Sequence, residues 1–122
     1  MKTTMGRRSC DMLGAFFATV AHSTRMRIFC ALQGAPKTVT EIAAEAGVSI
    51  TNASQHLRIM RDRGAVLAEK RAQCVYYHIA DQRFVEAAIL IHDALFERLM
   101  QEAAQASDLP RSSKLPSILQ PA

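Results

Sequence analysis

A run of short polar side chains between residues 49 and 63 has the chemistry to read the edges of DNA bases. Hydroxyl and amide groups both donate and accept hydrogen bonds, and short side chains reach base edges without filling the groove. At helical spacing they lie opposite four apolar residues that we expect to face the core: Ile50, Ala53, Leu57 and Met60. The predicted base-contacting residues are Ser49, Thr51, Asn52, Ser54, Gln55 and His56.

Long cationic side chains continue along this segment and beyond it. Their charged groups bind phosphate oxygens and position a protein on DNA without reading its sequence. Residues 1–80 hold 11 Lys and Arg against 5 Asp and Glu, whereas residues 81–122 hold 4 against 6. A solvated basic surface would give the same counts, so charge alone does not decide the function. The predicted phosphate-contacting residues are Thr38, Arg58, Arg61, Arg63, Lys70 and Arg71.

The elements around the polar segment form a recognisable order. Thr38 and Glu41 have the spacing of a capping box, which predicts the start of a short helix. Gly47 ends that helix, and Ser49 can cap the next one only two residues later. Residues 65–70 and 74–79 are rich in Val and Tyr and predict a β-hairpin. Short helix, tight turn, longer helix and hairpin together indicate a winged helix-turn-helix.

Further helices are predicted on both sides of this motif, from apolar residues at helical spacing. They cover residues 12–20, 24–33 and 81–106. We therefore expect a mainly α fold with a small β-hairpin between the fourth and fifth helices. Residues 1–10 would form an arm and residues 11–106 a single DNA-binding and dimerisation domain. Residues 107–122, with three prolines among Ser and Lys, would be a disordered tail.

Several sequence blocks in this order resemble the ArsR/SmtB family of winged-helix repressors. They are VAHSTRMRI at 20–28, TVTEIA at 38–43, GVS at 47–49, ASQHLR at 53–58 and VYY at 75–77. The resemblance implies an obligate homodimer, formed mainly by the first and last helices, that represses by blocking a palindromic operator in double-stranded DNA. The interface residues expected on those helices are Leu13, Phe16, Phe17, Phe84, Ile91, Leu95 and Leu99.

Many members of that family release DNA when a metal binds, and their ligands are not reproduced in this sequence. The stretch that carries cysteine in some members reads Thr-Val-Thr-Glu-Ile from position 38. Asp81 and Glu97 stand at carboxylate-ligand positions, but Arg83 and Ala94 replace the expected histidines. Two carboxylates alone make a poor zinc site, so we predict neither a metal nor another cofactor. His92 is expected to be a partly buried interface residue.

The three cysteines, Cys10, Cys30 and Cys74, suit a reducing, cytoplasmic location because they are odd in number and lack CxxC spacing. Cys30 resembles one cysteine of the sulfide- and redox-responsive members, which pair it with a thiol in the last helix. No thiol occurs at 93–96 here. Two hypotheses remain: a redox switch between Cys10 and Cys30, with the arm folding back, or Cys30 as a small buried side chain. Cys74 is expected to be only a strand residue.

Other functions fit the sequence less well. The basic residues before the apolar run 12–21 resemble a signal peptide, but Asp11 interrupts the approach, and no other run is long enough for a membrane span. Catalytic motifs are lacking, so an enzyme is not expected. The alternatives are a ligand-independent or metal-responsive repressor, or a winged-helix module that binds proteins instead of DNA. In the hairpin, Ala72 and Gln73 stand where members of the ArsR/SmtB family often have Gly-Arg. The sequence therefore does not decide whether the hairpin reads the minor groove. It does not identify the effector either.

Overall fold

The computed structural model describes residues 4–106 of the chain. They form five helices and three strands, in the order α1 (Arg7–Val20), α2 (Ser23–Ala31), β1 (Lys37–Thr38), α3 (Val39–Ala46), α4 (Ile50–Asp62), β2 (Val66–Arg71), β3 (Cys74–Ile79) and α5 (Gln82–Ala106). The predicted mainly α fold, with its helix-turn-helix followed by a hairpin, is confirmed. The described residues divide into two compact units, one ending at Gln82 and one beginning at Arg83. The predicted disordered tail at 107–122 lies outside the described residues.

The sheet has one strand more than the predicted hairpin. All three strands are antiparallel in the order β1-β3-β2, with Lys37 opposite Tyr77 in one pair and Val66 opposite Ile79 in the other. Strand β1 has only two residues, too few for an alternating pattern to be recognised in the sequence. This strand joins the start of α3 to the hairpin, which we name the wing (residues 66–79).

The core of the first unit lies between the helix-turn-helix and the base of the wing. Ile28 of α2, Ile42 of α3 and Val66 of β2 are completely buried, together with Leu57 and Met60 of α4. Ala53 is buried too, so three of the four predicted core residues of α4 are confirmed. The prediction was wrong for Ile50, which is 50% exposed. It is the first residue of α4 and lies at the end of the helix, one turn away from the packed residues.

Of the two outer helices, the last agrees with its predicted bounds to within one residue, whereas the first begins earlier than predicted. Helix α1 begins at Arg7, after Gly6 as N-cap, and therefore includes Cys10. The apolar periodicity used for the prediction starts only at Met12, but charged and polar residues also accept helical geometry. Helix α5 has 25 residues and exposes most of its large apolar side chains.

Candidate nucleic-acid interface

The tight turn between α3 and α4 fixes where the second helix begins. Gly47 has a left-handed backbone with φ +72°, which a residue without Cβ adopts without strain. The Ser49 hydroxyl accepts a hydrogen bond from the Asn52 N–H at 3.0 Å, and the Ser49 carbonyl accepts one from the Ala53 N–H at 2.9 Å. These bonds satisfy backbone groups at the start of α4 and hold its first turn in a defined orientation.

The preceding helix, α3, is held by the predicted capping box. The Thr38 N–H donates to the Glu41 carboxylate at 3.0 Å, and the Glu41 N–H donates to the Thr38 hydroxyl at 3.3 Å. The hydrogen bonds that the Glu41 carboxylate accepts from the Thr38 N–H and from the Thr38 hydroxyl lower the pKa of Glu41 below its ordinary value of 4.5. The Thr38 hydroxyl also donates to Glu41 at 3.0 Å, so its predicted phosphate contact would compete with the cap.

A lysine that the sequence analysis did not single out connects three elements of this scaffold. Lys37 of β1 donates a hydrogen bond from Nζ to the carbonyl of Ala31, at the end of α2. The same ammonium group lies 2.9 Å from the carboxylate of Glu45 on α3, and the Lys37 side chain is only 20% exposed. The local sequence does not predict this role, because it depends on how α2 and α3 pack around Lys37.

Helix α4 presents most of its predicted base-contacting residues to solvent. Thr51 and Gln55 are exposed one turn apart, and Arg58 continues the same face. Ser54 is exposed beside them, whereas Asn52 is half-buried and Ser49 contributes its hydroxyl to the cap. Hydroxyl, amide and guanidinium groups are therefore available together on one side of a helix whose opposite side is anchored in the core. We call Thr51, Ser54, Gln55 and Arg58 the polar face of α4.

His56, also predicted to contact bases, lies away from the centre of this face. Its ring packs against His22, the N-cap of α2, with 4.6 Å between the ring centroids. Its Nδ1 is buried and has no hydrogen-bond partner among the described residues. Burial lowers the pKa of His56 below 6.5, and the nearby His22 and Arg25 act in the same direction. The arrangement gives His56 a packing role, and its base contact stays a prediction.

The predicted phosphate-contacting cations are all exposed. Arg58 and Arg61 lie on α4, Arg63 follows its end, and Lys70 and Arg71 lie at the tip of the wing. Arg71 is restrained, since its guanidinium lies 3.2 Å from Glu69 and 5.6 Å from the centre of the Tyr76 ring. At the turn, Ala72 has a left-handed backbone with φ +54°, which a glycine would adopt without strain.

The exposure of the cysteines contradicts one of the two hypotheses about Cys30. Cys10, Cys30 and Cys74 are all exposed and unbridged in the described part of the chain. The hypothesis of a buried Cys30 is therefore wrong: the helix turns this residue outward, into an open pocket of about 320 Å³ lined also by Met26, Arg27, Ala31 and Glu45. Cys10 belongs to α1 and not to a mobile arm, so pairing with Cys30 stays a prediction.

Residues 4–106 also show whether the chain could bind a metal ion or cross a membrane in this region. Three or more His, Cys, Asp or Glu side chains do not come together there in a way that could hold a metal ion. In the single chain the His92 side chain is 71% exposed, with its Nδ1 3.2 Å from an Asp93 carboxylate oxygen, so its expected burial at an interface stays a prediction. None of the described helices combines the length and the apolar character needed to cross a membrane.

Comparison with known proteins agrees with this geometry. A family model described as a helix-turn-helix domain matches residues 20–68. The HTH-type transcriptional regulator YgaV of Escherichia coli is 33% identical over 75 residues, which cover 61% of this chain and 76% of YgaV. A Synechocystis protein named transcriptional repressor SmtB homolog is 29% identical over 93 residues, covering 76% of this chain and 70% of that protein.

Solved structures show the same architecture. The crystal structure of Mycobacterium tuberculosis Rv0081 superimposes with a TM-score of 0.71 and 26% identity, covering 80% of this chain and 99% of that one. The homodimeric winged helix-turn-helix DNA-binding domain of Mb0332 from Mycobacterium bovis gives the same TM-score at 24% identity, covering 83% of this chain and 95% of that one.

The fold and the anchored, polar-faced α4 thus define a winged helix-turn-helix transcriptional regulator. The sequence blocks described above and the similarity to these relatives identify the family: the chain belongs to the ArsR/SmtB family.

Proposed function

We propose that this regulator is a repressor that inserts α4 into the major groove of a palindromic operator. The observation that carries the proposal is the polar face of α4, which is exposed along its length while Ala53, Leu57 and Met60 anchor the helix from behind. Short hydroxyl and amide groups at the start of such a helix are suited to base edges. The predicted contacts of Ser49, Asn52 and His56 belong to the same proposal. Because its proposed target is operator DNA, the protein is proposed to act in the cytoplasm.

The proposed DNA-bound form is a homodimer. Helix α1 exposes Leu13 and Phe17, and the rings of Phe16 and Phe17 lie 5.9 Å apart. Helix α5, by itself, exposes a long apolar surface that includes Leu90, Ile91, Leu95 and Phe96. Apolar surfaces of this kind support self-association, together with the predicted contacts of Phe84 and Leu99. A symmetric dimer would carry two copies of α4 spaced about 34 Å apart, one turn of DNA.

The alternative, a module that binds proteins instead of DNA, is less well supported. Arg58, Arg61 and Arg63 all remain exposed on and after α4, and Lys70 extends the basic surface to the wing. Cations at both ends of a recognition surface suit phosphates on either side of a groove.

The test begins with selection of binding sites from random duplex DNA by the full chain. Affinity for the selected operator is then measured with Gln55→Ala and Ser54→Ala. Each is expected to lose about 1–3 kcal/mol of binding free energy and to relax specificity at one base pair. Gln33→Ala is the matched control, because Gln33 is exposed just after α2. Unchanged affinity and unchanged selected sequences for both variants would refute the proposed use of α4.

For the effector, we propose a thiol-redox signal, supported by the exposure of Cys10 and Cys30. A disulfide would form with loss of two thiol protons and two electrons, which a peroxide takes up as it is reduced to water. Operator release by hydrogen peroxide, reversed by dithiothreitol and lost in both Cys10→Ser and Cys30→Ser, would support it. Release in both variants would contradict the pairing, and unchanged binding under peroxide, persulfide and divalent metals would indicate an effector-independent repressor.

A further inference from the structure

A large apolar side chain stands beside the polar groups at the start of α4. Ile50 is the first residue of the helix and is 50% exposed, whereas the apolar residues one, two and three turns later are completely buried. Single exposed apolar residues are common on protein surfaces, so exposure by itself assigns nothing. The position of Ile50 is informative, because it follows the Ser49 cap directly and leads into the polar face.

Helix geometry relates Ile50 to that face. At about 100° per residue, Ile50 and Ser54 lie within about 40° of each other, one turn apart. Ser54 is exposed, so Ile50 lies at the border between the polar face and the buried side of α4. Recognition helices contact bases mainly through their N-terminal residues. If α4 enters the groove as proposed above, Ile50 is therefore among the first side chains to meet a base pair.

The chemistry of the groove then limits what Ile50 can recognise. An isoleucine side chain has no hydrogen-bond donor or acceptor, and the 5-methyl group of thymine is the apolar feature that bases present in the major groove. Placing the same side chain against an amino or carbonyl group would leave that group without a partner, which is unfavourable. A thymine is thus both the best contact and the one that avoids this cost.

We propose that Ile50 is a specificity-determining residue that reads a thymine methyl group at one position of each operator half-site. This inference rests on the proposed function, since it requires α4 to lie in the major groove. It adds an apolar contact to a surface predicted from polar residues alone.

The test removes the methyl group without changing base pairing. Each thymine of the selected operator is replaced in turn, in both half-sites, by deoxyuridine, and binding is measured for the wild-type protein and Ile50→Ala. We expect one thymine position at which the wild type loses about fourfold in affinity per half-site, the equivalent of one buried methyl group. Ile50→Ala should bind more weakly to the thymine operator and should not distinguish thymine from deoxyuridine at that position.

Two further variants complete the design. Ile50→Gln should no longer select thymine at this position from random DNA. Met26→Ala is the control, because Met26 is similarly exposed, at 41%, on α2 and should preserve the preference for thymine. Melting temperatures of all variants confirm folding.

The outcomes separate the two proposals. A wild-type protein that binds its operator but distinguishes deoxyuridine from thymine nowhere, or an Ile50→Ala variant that keeps the full preference at every position, overturns the role of Ile50 alone. A protein that selects no DNA sequence overturns the proposed function, and this inference with it.

Discussion

The imidazole rings of His22 and His56 pack together, with 4.6 Å between their centroids, and connect the start of α2 to α4. His22 caps α2, where its Nδ1 accepts a hydrogen bond from the Thr24 N–H at 3.1 Å. Arg25 lies in the same helix, and its Nε and Nη1 are buried without a hydrogen-bond partner among the described residues. A second positive charge is therefore poorly tolerated at His56, which agrees with its lowered pKa.

This contact predicts a pH dependence of stability. Because the pKa of His56 in the folded protein lies below 6.5, the unfolded chain takes up a proton first as the pH falls. Stability should therefore decrease below pH 6.5, until the folded-state pKa is passed. Thermal unfolding of the wild type at pH 8.0 and 5.5, compared with His56→Gln, measures this effect.

We expect the variant to lose less stability than the wild type over this interval. His92→Gln, at an exposed position of α5, should behave like the wild type. Equal pH dependence in the wild type and His56→Gln would contradict the assigned origin.

The strained turn of the wing predicts a stabilising substitution. Ala72 adopts φ +54°, a conformation that costs an L-residue about 1–2 kcal/mol and glycine much less. Ala72→Gly should raise the free energy of unfolding by roughly 0.5–1 kcal/mol, after the greater flexibility of unfolded glycine is subtracted. Urea denaturation gives this quantity. Ala44→Gly, within α3, should show the opposite sign, and a loss of stability in both variants would rule out turn strain.

The largely buried side chain of Lys37 predicts a structural role for this cation. Lys37→Met removes the hydrogen bond to Ala31 and the ion pair with Glu45, and should destabilise the fold by about 1–2 kcal/mol. Lys70→Met is the control, because Lys70 is exposed in the wing and should affect stability little. Equal denaturation midpoints for the two variants would show that Lys37 does not tie these elements together.

If Arg58 contacts a phosphate, its replacement should change the salt dependence of DNA binding. Each phosphate contact contributes about 0.9 to the slope of log affinity against log salt, so Arg58→Ala should reduce the slope by about 2 in a dimer. Its affinity should fall by the same factor on operator and unrelated DNA. Fluorescence anisotropy at four salt concentrations measures both. Arg27→Ala, on the exposed side of α2, should leave the slope unchanged; a base-specific loss for Arg58→Ala would assign it to readout instead.

Local interactions explain how much of the fold and the site could be predicted. The capping box of Thr38 and Glu41, the left-handed Gly47 and the Ser49 cap each involve residues at most three apart. Such interactions are encoded in short stretches of sequence, so the sequence by itself determined the helix-turn-helix, the wing and the polar face of α4.

Packing between distant elements decided the rest. Periodicity predicts Ile50 in the core, but within residues 4–106 the start of α4 is not fully covered, and Ile50 is 50% exposed. His56 was expected beside the bases, and only the approach of α2 brings His22 against it. Strand β1 exists because β3 offers it hydrogen-bond partners some 40 residues later in the chain. These outcomes depend on which surfaces meet in three dimensions, and a single helix or strand carries no information about its eventual neighbour.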